Sequence, residues 1–237
     1  MIEKVLKKIL NRGKIIHKEL IATDVYSFTI QSPKIQHIKY LTGQHIRVFF
    51  GDKSDVSGKD NIRTYSIWEI NHEKGTIRVG ACCHTSGPGS HWIKEIKVGD
   101  EVFFSSPKGK FTLDTSFDKY IFLGDSSALA HLYELHRNLP NGKKIKGIIY
   151  ANQKNDLFPD IKGTMPFAFY EFEGDLSSGI INLLADGMTI DDSTVVYIGG
   201  DGRVCVALNN NLIREKKMSR KQIKTKPFWM PGKKGLE

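Results

Sequence analysis

The chain has 237 residues, 40% hydrophobic and 26% charged, with a formal net charge of +9; this composition suits one large or two small globular domains and excludes a disordered or collagen-like chain. No run approaches the ~18 consecutive apolar residues of a membrane span, so no stable membrane insertion is expected. The three cysteines, Cys82, Cys83 and Cys205, form neither a C-x-x-C pair nor a disulfide framework, which excludes a stapled secreted fold and a zinc site and leads us to expect a reducing, cytoplasmic setting.

At the start, Ile2, Val5, Leu6, Ile9 and Leu10 share one helical face with Lys4, Lys7 and Lys8 beside it, and no small-residue cleavage site follows. The segment reads as a basic amphipathic helix, too short to stand alone in water, that packs on its domain or meets a surface or partner. From about Lys14 to Lys110, short strands are expected at Val25–Ile30, His45–Phe50, Ile62–Ile70, Thr76–Cys82 and Glu101–Ser105, punctuated by Gly43, Gly51, Gly75, Gly99 and Gly109. Five or six antiparallel strands at this spacing close into a small Greek-key barrel, which the helix Ser90–Ile96 plugs or caps. Ser54–Asp60 reads as a polar loop.

Within the third strand, alternation sets Ile62, Thr64, Ser66 and Trp68 opposite to Arg63, Tyr65 and Ile67. One face thereby pairs a guanidinium with a phenol ring, as a flat ring system joined to an anionic pyrophosphate requires. Gly87-Pro88-Gly89-Ser90, 24 positions after Arg63, opens the short helix. Its glycines permit close approach, and its free N–H groups favour an anion. Alone, the first tetrapeptide more often marks an ordinary exposed strand and the second a plain turn; in this order they read as two halves of a flavin clamp and point to a redox enzyme.

After Phe111 the pattern changes to apolar strands alternating with helices. Tyr120–Gly124 runs into Ser127–Leu139, followed by Ile145–Tyr150, Phe167–Phe172, Ile180–Leu184, Val195–Ile198 and Val204–Arg214. The expected fold class is therefore β plus α/β. An N-terminal antiparallel barrel over residues 1–115 precedes an α/β domain over residues 116–237, with a parallel sheet and helices on both faces. Gly124-Asp125-Ser126 is not a Gly-x-Gly-x-x-Gly fingerprint and reads either as a dinucleotide-binding turn or as a plain strand-to-helix turn. Asp191-Asp192 reads as a turn, and neither a nucleophile triad nor a metal-ligand set is visible. Residues 203–237 carry a net +8, either a solvated basic helix and tail or a rim that attracts an anionic small molecule. Nucleic acid is not expected, because the only aromatics here form the single pair Phe228-Trp229.

The chain resembles the siderophore-interacting proteins, FAD-dependent ferric siderophore reductases of the ferredoxin-NADP reductase-like superfamily, over almost its whole length. Arg63-Thr64-Tyr65-Ser66 stands where that family has Arg-x-Tyr-Thr/Ser, and His84 with Gly87-Pro88-Gly89-Ser90-His91-Trp92 is similar to its His…Gly-Pro-Ala-Ser-x-Trp segment. Gly124-Asp125-Ser126-Ser127-Ala128-Leu129 resembles Gly-Asp-Glu-Thr-Ala-Leu. Gly199-Gly200-Asp201 resembles Ala-Gly-Glu, and Phe228-Trp229-Met230-Pro231-Gly232 resembles Tyr-Trp-x-x-Gly. The departures are Ser126, Ser127, Ala130 in place of proline, and Asp201.

The resemblance implies FAD held by Arg63 at the pyrophosphate, Tyr65 stacked on the isoalloxazine, and Ser66 hydrogen-bonded near N5, with Thr64 in the same strand. Gly87, Pro88, Gly89 and Ser90 would hold the pyrophosphate from the other side, His84 would sit by the adenosine half, and Trp229 would cover the ring. Gly124, Asp125, Ser126, Ser127, Ala128, Gly200 and Asp201 would line a nicotinamide cleft at the carboxyl ends of two parallel strands. The implied reaction passes hydride from NAD(P)H to FAD and then single electrons to Fe(III) in a siderophore, with no side-chain nucleophile. Many ferric chelates are anionic, and Lys217, Arg220, Lys221 and Lys224 are the nominated substrate contacts. The alternatives are a ferredoxin or flavodoxin reductase whose basic tail docks an acidic carrier, and a flavoprotein that binds the chelate without turnover. A monomer is expected.

Overall fold

The computed structural model describes residues 10–50, 61–83, 87–151, 153–172, 176–185 and 189–233. The opening segment through Ile9, the loop Ser54–Asp60 and His84 lie outside the described residues. Contacts divide the chain into two compact units that part between Thr112 and Leu113. Asp114 is tied into the second unit, its N–H donating to Tyr197 Oη and its carbonyl accepting from Tyr120 Oη, both at 2.8 Å.

In the first unit β1 (Asn11–Ala22), β2 (Val25–Gln31), β3 (His45–Phe49), β4 (Ile62–Asn71), β5 (Thr76–Cys82) and β6 (Glu101–Phe104) form a closed antiparallel barrel in the order β1-β2-β5-β4-β3-β6. Strand alternation fills it: Phe28 and Ile30, Ile46 and Val48, Ile77 and Val79 all point inward and are fully buried. β1 was absent from the sequence expectation. Only Gly13 and Ile15 are buried in it, and its remaining apolar residues, Ile16, Leu20, Ile21 and Ala22, do not alternate with polar ones, so no apolar rhythm announces it. It exists because it is hydrogen-bonded on both edges, to β2 and to β6, and so closes the barrel.

β4 departs from the expected alternation. Ser66, Ile67 and Trp68 are buried in succession, and the pairing with β5 shifts register between Ile67 and Glu69. This bulge re-aims Trp68, whose ring lies 4.8 Å from the Arg78 guanidinium. The single α-helix described in this unit, α1 (Pro88–Glu95), begins with proline at its first turn and buries Gly89, Ser90 and Ile93.

The second unit is a parallel sheet of β7 (Lys119–Asp125), β8 (Lys144–Ala151), β9 (Ala168–Glu171), β10 (Thr194–Asp201) and β11 (Ile223–Trp229), ordered β11-β10-β7-β8-β9. Its helices are α2 (Ser126–Arg137), α3 (Leu176–Ala185) and α4 (Gly202–Arg214). Ile121, Leu123, Val196 and Ile198 pack with Leu184, Cys205 and Leu208 of α3 and α4. Phe122 meets Tyr197 and Phe167 on the opposite face, where Phe167 stacks on Tyr133 of α2. Both faces are covered, which is why β7 and β10 read as continuous apolar runs. Ile180–Leu184 lies within helix α3.

The basic helix considered for the C-terminal region is corrected. α4 ends at Arg214, Lys217 adopts a left-handed conformation (φ 55°), Arg220–Gln222 forms a 3-10 turn, and β11 then joins the sheet edge. The buried Gln222 amide decides this, donating to the carbonyls of Asp191 (2.8 Å) and Thr194 (3.0 Å) at the amino end of β10. Among the described residues no helix is long and apolar enough to cross a membrane.

Candidate functional site

In the barrel, Arg63, Thr64, Tyr65 and Ser66 stand at the start of β4, paired with Val48, Arg47, Ile46 and His45 of β3. The two halves of the expected clamp meet here. A Cβ placed on Gly89 would lie 2.7 Å from Arg63 Cγ, so glycine at the second position of α1 is what lets the Arg63 stem lie against the helix start. The Arg63 guanidinium donates to the Ile62 carbonyl at 2.6 Å and lies 5.8 Å from the Phe50 ring centre. The residue preceding α1 is Gly87, which supplies no side-chain cap, so no carboxylate or hydroxyl of that residue stands where an anion would meet the helix start.

An aromatic cluster adjoins this pair. Tyr65 meets Phe28 edge-on at 5.6 Å and lies 6.3 Å from Trp92, and Trp92 stacks on Phe50 at 5.0 Å. Pyrophosphate and ring system each have matching chemistry among these residues: a guanidinium beside a helix start for one, and half-buried aromatic rings for the other. The residues fit FAD. Phe50 was missed as a member of the site because no motif marks the end of β3. Trp92 had a signal in the Gly-Pro-Gly-Ser-His-Trp segment, since it follows Gly89 by one helical turn. Cys83 follows β5, and burial pushes its thiol up to about 11, which disfavours the thiolate.

In the α/β unit, Gly124 and Gly199 are register partners near the carboxyl ends of β7 and β10. Asp125 and Asp201 end these strands and cap the helices that follow. Asp125 Oδ1 accepts from the Ser127 N–H at 2.9 Å and from the Ser127 hydroxyl. Asp201 Oδ1 accepts from the Arg203 N–H at 2.9 Å, and its Oδ2 is held by Arg203 Nη2 at 2.6 Å. Asp125 Oδ2 accepts from the Asp201 N–H at 2.8 Å and from the Trp229 indole at 2.9 Å. Burial pushes the Asp125 carboxyl above its ordinary range, while the bonds from Ser127, Trp229 and Asp201 pull it down.

The structure thus brings Asp125, Ser127, Gly200, Asp201 and Trp229 together, and Ser126 opens α2 beside them. Ala128 is different: it is fully buried, and a Cβ on Gly199 would lie 2.9 Å from its own Cβ, so it serves helix-to-sheet packing. Lys217, Arg220 and Lys221 do not reach this crevice. β11 starts opposite Val196 and ends opposite Asp201, which puts the 3-10 turn at the amino end of the sheet, about 20 Å away at the usual strand rise. Lys224 is paired with Asp114, Nζ to Oδ2 at 3.4 Å. Lys226, 5.6 Å from the Phe228 ring centre, is the cation that β11 carries toward the carboxyl end.

Comparison with known proteins agrees with both halves. Residues 12–113 match the oxidoreductase FAD-binding domain and residues 117–232 match the siderophore-interacting protein family. The siderophore-interacting protein SipS from Aeromonas hydrophila superposes with a TM-score of 0.78 at 16% identity, covering 95% of this chain and 93% of its own. A siderophore utilization protein from T. fusca gives 0.79 at 14% identity, over 96% and 95%. At these identities the likeness is one of fold. NADH--cytochrome b5 reductase 1 of Arabidopsis thaliana is 25% identical over 148 residues, 60% of this chain and 52% of that protein, and the chain spans about half the length or less of the curated relatives it first matches. The chain thus joins an oxidoreductase FAD-binding domain, as a barrel, to an α/β domain of the siderophore-interacting protein family.

Proposed function

We propose that this protein is a FAD-dependent oxidoreductase that reduces ferric siderophores inside the cell, drawing electrons from NAD(P)H. The observation that carries the flavin half is the glycine-led start of α1 packed against the Arg63 stem, with Tyr65, Trp92 and Phe50 beside it. FAD, when bound, supplies hydride acceptance and one-electron delivery. Arg63 and the first-turn amides of α1 bind its phosphates, and Tyr65 and Trp92 offer the apolar surface on which its ring system is oriented. Ser66, 7% exposed in β4, is a hydroxyl within this surface. The siderophore half is supported by the family match over residues 117–232. Gly124, Ser126, Gly200 and the Asp-capped ends of β7 and β10 are the proposed nicotinamide cleft.

One observation favours a second reading, in which a protein such as ferredoxin delivers the electrons. Dinucleotide phosphates commonly rest on helix N-termini at the carboxyl ends of parallel strands, and here Asp125 and Asp201 already occupy both. The test is anaerobic absorbance of the FAD-loaded protein mixed in turn with NADH, NADPH and reduced ferredoxin, followed by a ferric catecholate or ferric citrate with ferrous iron captured by a chromogenic chelator. Bleaching of the flavin band by a nicotinamide nucleotide and its return on adding the ferric chelate support the proposal. Reduction only by ferredoxin moves the donor to the second reading, and a reduced protein that ignores ferric chelates overturns the siderophore assignment.

A further inference from the structure

The clamp has a third jaw. The β1–β2 hairpin, which carries no part of the Arg-x-Tyr-Ser or Gly-Pro-Gly-Ser motifs, grips the glycine segment on both sides. On the entry side, the Cys83 N–H donates to the Asp24 carbonyl at 2.6 Å. On the exit side, Lys18 Nζ donates to the carbonyls of Lys94 at 2.8 Å and Ile96 at 2.9 Å, and Lys94 Nζ pairs with Asp24 Oδ1 at 3.2 Å. Asp24 holds the hairpin turn in a left-handed conformation (φ 52°), one that asparagine and aspartate tolerate best among residues with side chains.

We propose that Lys18 is a positioning residue for the flavin phosphates: by binding the last carbonyls of α1 it fixes the direction in which that helix presents its first-turn amides. The inference rests on the flavin reading of the barrel. A helix leaves its final carbonyls without partners, and a cation there completes them and opposes the negative end of the dipole. α1 has only eight residues, too few to hold an orientation by its own hydrogen bonds, so its aim is set by the burial of Ile93 and Ile96 in the barrel core and by what holds its ends. At the amino end Gly87 and Gly89 supply no side chain. At the carboxyl end Lys18 supplies two charge-assisted bonds, and its stem is steadied by the Tyr26 ring, 5.1 Å from Nζ. Burial lowers the Lys18 pKa, while Cys83 and Asp100 raise it, consistent with an ammonium drawn partly out of water to make these contacts. Trp92 is held separately, by its rings' contacts with Phe28 and Phe50, so Lys18 acts on the phosphate end of the ligand and not on the ring end.

The experiment titrates FAD and riboflavin into the flavin-free full chain, wild type against Lys18→Met and Lys18→Arg, reading quenching of flavin fluorescence. Lys18→Met is expected to weaken FAD about tenfold, the scale of a lost charge-assisted bond, while riboflavin, which has no phosphate, changes less than about twofold. Lys18→Arg, whose guanidinium can donate to both carbonyls, restores FAD affinity. Lys18→Gln, with one amide donor, shows the same split at smaller size if the methionine variant does not fold. FAD affinity unchanged in Lys18→Met, or FAD and riboflavin falling together, overturns the proposal. Wild-type protein that binds neither flavin overturns the flavin reading itself.

Discussion

The indole N–H of Trp229 donates to Asp125 Oδ2 at 2.9 Å across 104 positions of chain, and the same oxygen takes the Asp201 N–H at 2.8 Å. One carboxylate thus ties together the ends of β7, β10 and β11. Gly200 makes room for it: φ there is +117°, and a Cβ would lie 2.5 Å from Asp125 Oδ2. Asp125→Ala leaves the N–H groups of Ser127, Asp201 and Trp229 without this partner and is expected to cost about 2–4 kcal/mol. Urea unfolding measures it.

The same carboxylate sets a pH dependence. Burial raises the folded-state pKa of Asp125, so the protonated form is favoured by folding. Its contribution is complete below the unfolded value of about 4 and declines as pH rises through the folded value. The stability advantage of wild type over Asp125→Asn is therefore expected to be largest near pH 4 and to narrow toward pH 8. Unfolding curves collected across that range check the sign, and an advantage that widens with pH contradicts it.

Gly89→Ala forces a methyl against the Arg63 stem and should lower FAD affinity about tenfold, whereas Arg63→Ala removes the charge-assisted contact and should lower it about 100-fold. The flavin-to-protein absorbance ratio of the purified variants reads both. Wild-type retention of FAD in Gly89→Ala would show that Arg63 is not held by this approach.

Tyr150 ends with a buried hydroxyl that has no hydrogen-bond partner among the described residues, and the residue is 4% exposed. Tyr150→Phe removes that unsatisfied group without opening a cavity. A gain of about 1 kcal/mol in unfolding free energy is expected.

Asp201→Asn keeps a capping side chain at α4 but discharges the carboxylate that holds Arg203. With the nucleotide in the proposed cleft, the KM for NADH or NADPH is expected to fall about threefold with kcat unchanged, the scale of one unit charge in a half-hydrated cleft. A rise in KM would mean that nucleotide binding needs the Asp201–Arg203 pair intact.

Much of this molecule was legible in its residues. The alternation in β2, β3 and β5, the apolar runs of β7 and β10, and the motifs around Arg63 and Gly87 are local patterns, and local patterns survive in a linear string because strand and helix periods are properties of the backbone. β1 and β11 were not legible. Each mixes basic and apolar residues without a clear alternation and is held as a strand by pairing with segments distant in sequence, β1 with Phe104 and its neighbours in β6, β11 with β10. An edge or closing strand is chosen by the sheet that receives it.

The same division runs through the site. Sequence alone determined that a guanidinium, a phenol and a glycine-rich helix start recur in flavin-clamp order, because those residue types are what an anion joined to a flat ring demands. Only the tertiary structure decided that Gly89 yields to Arg63, that Lys18 grips the far end of α1, that Asp125 reaches Trp229, and that Lys217, Arg220 and Lys221 stand at the wrong end of the sheet for the crevice. These are distances between segments far apart in the chain, and they follow from how strands are ordered and registered, which composition and spacing do not encode.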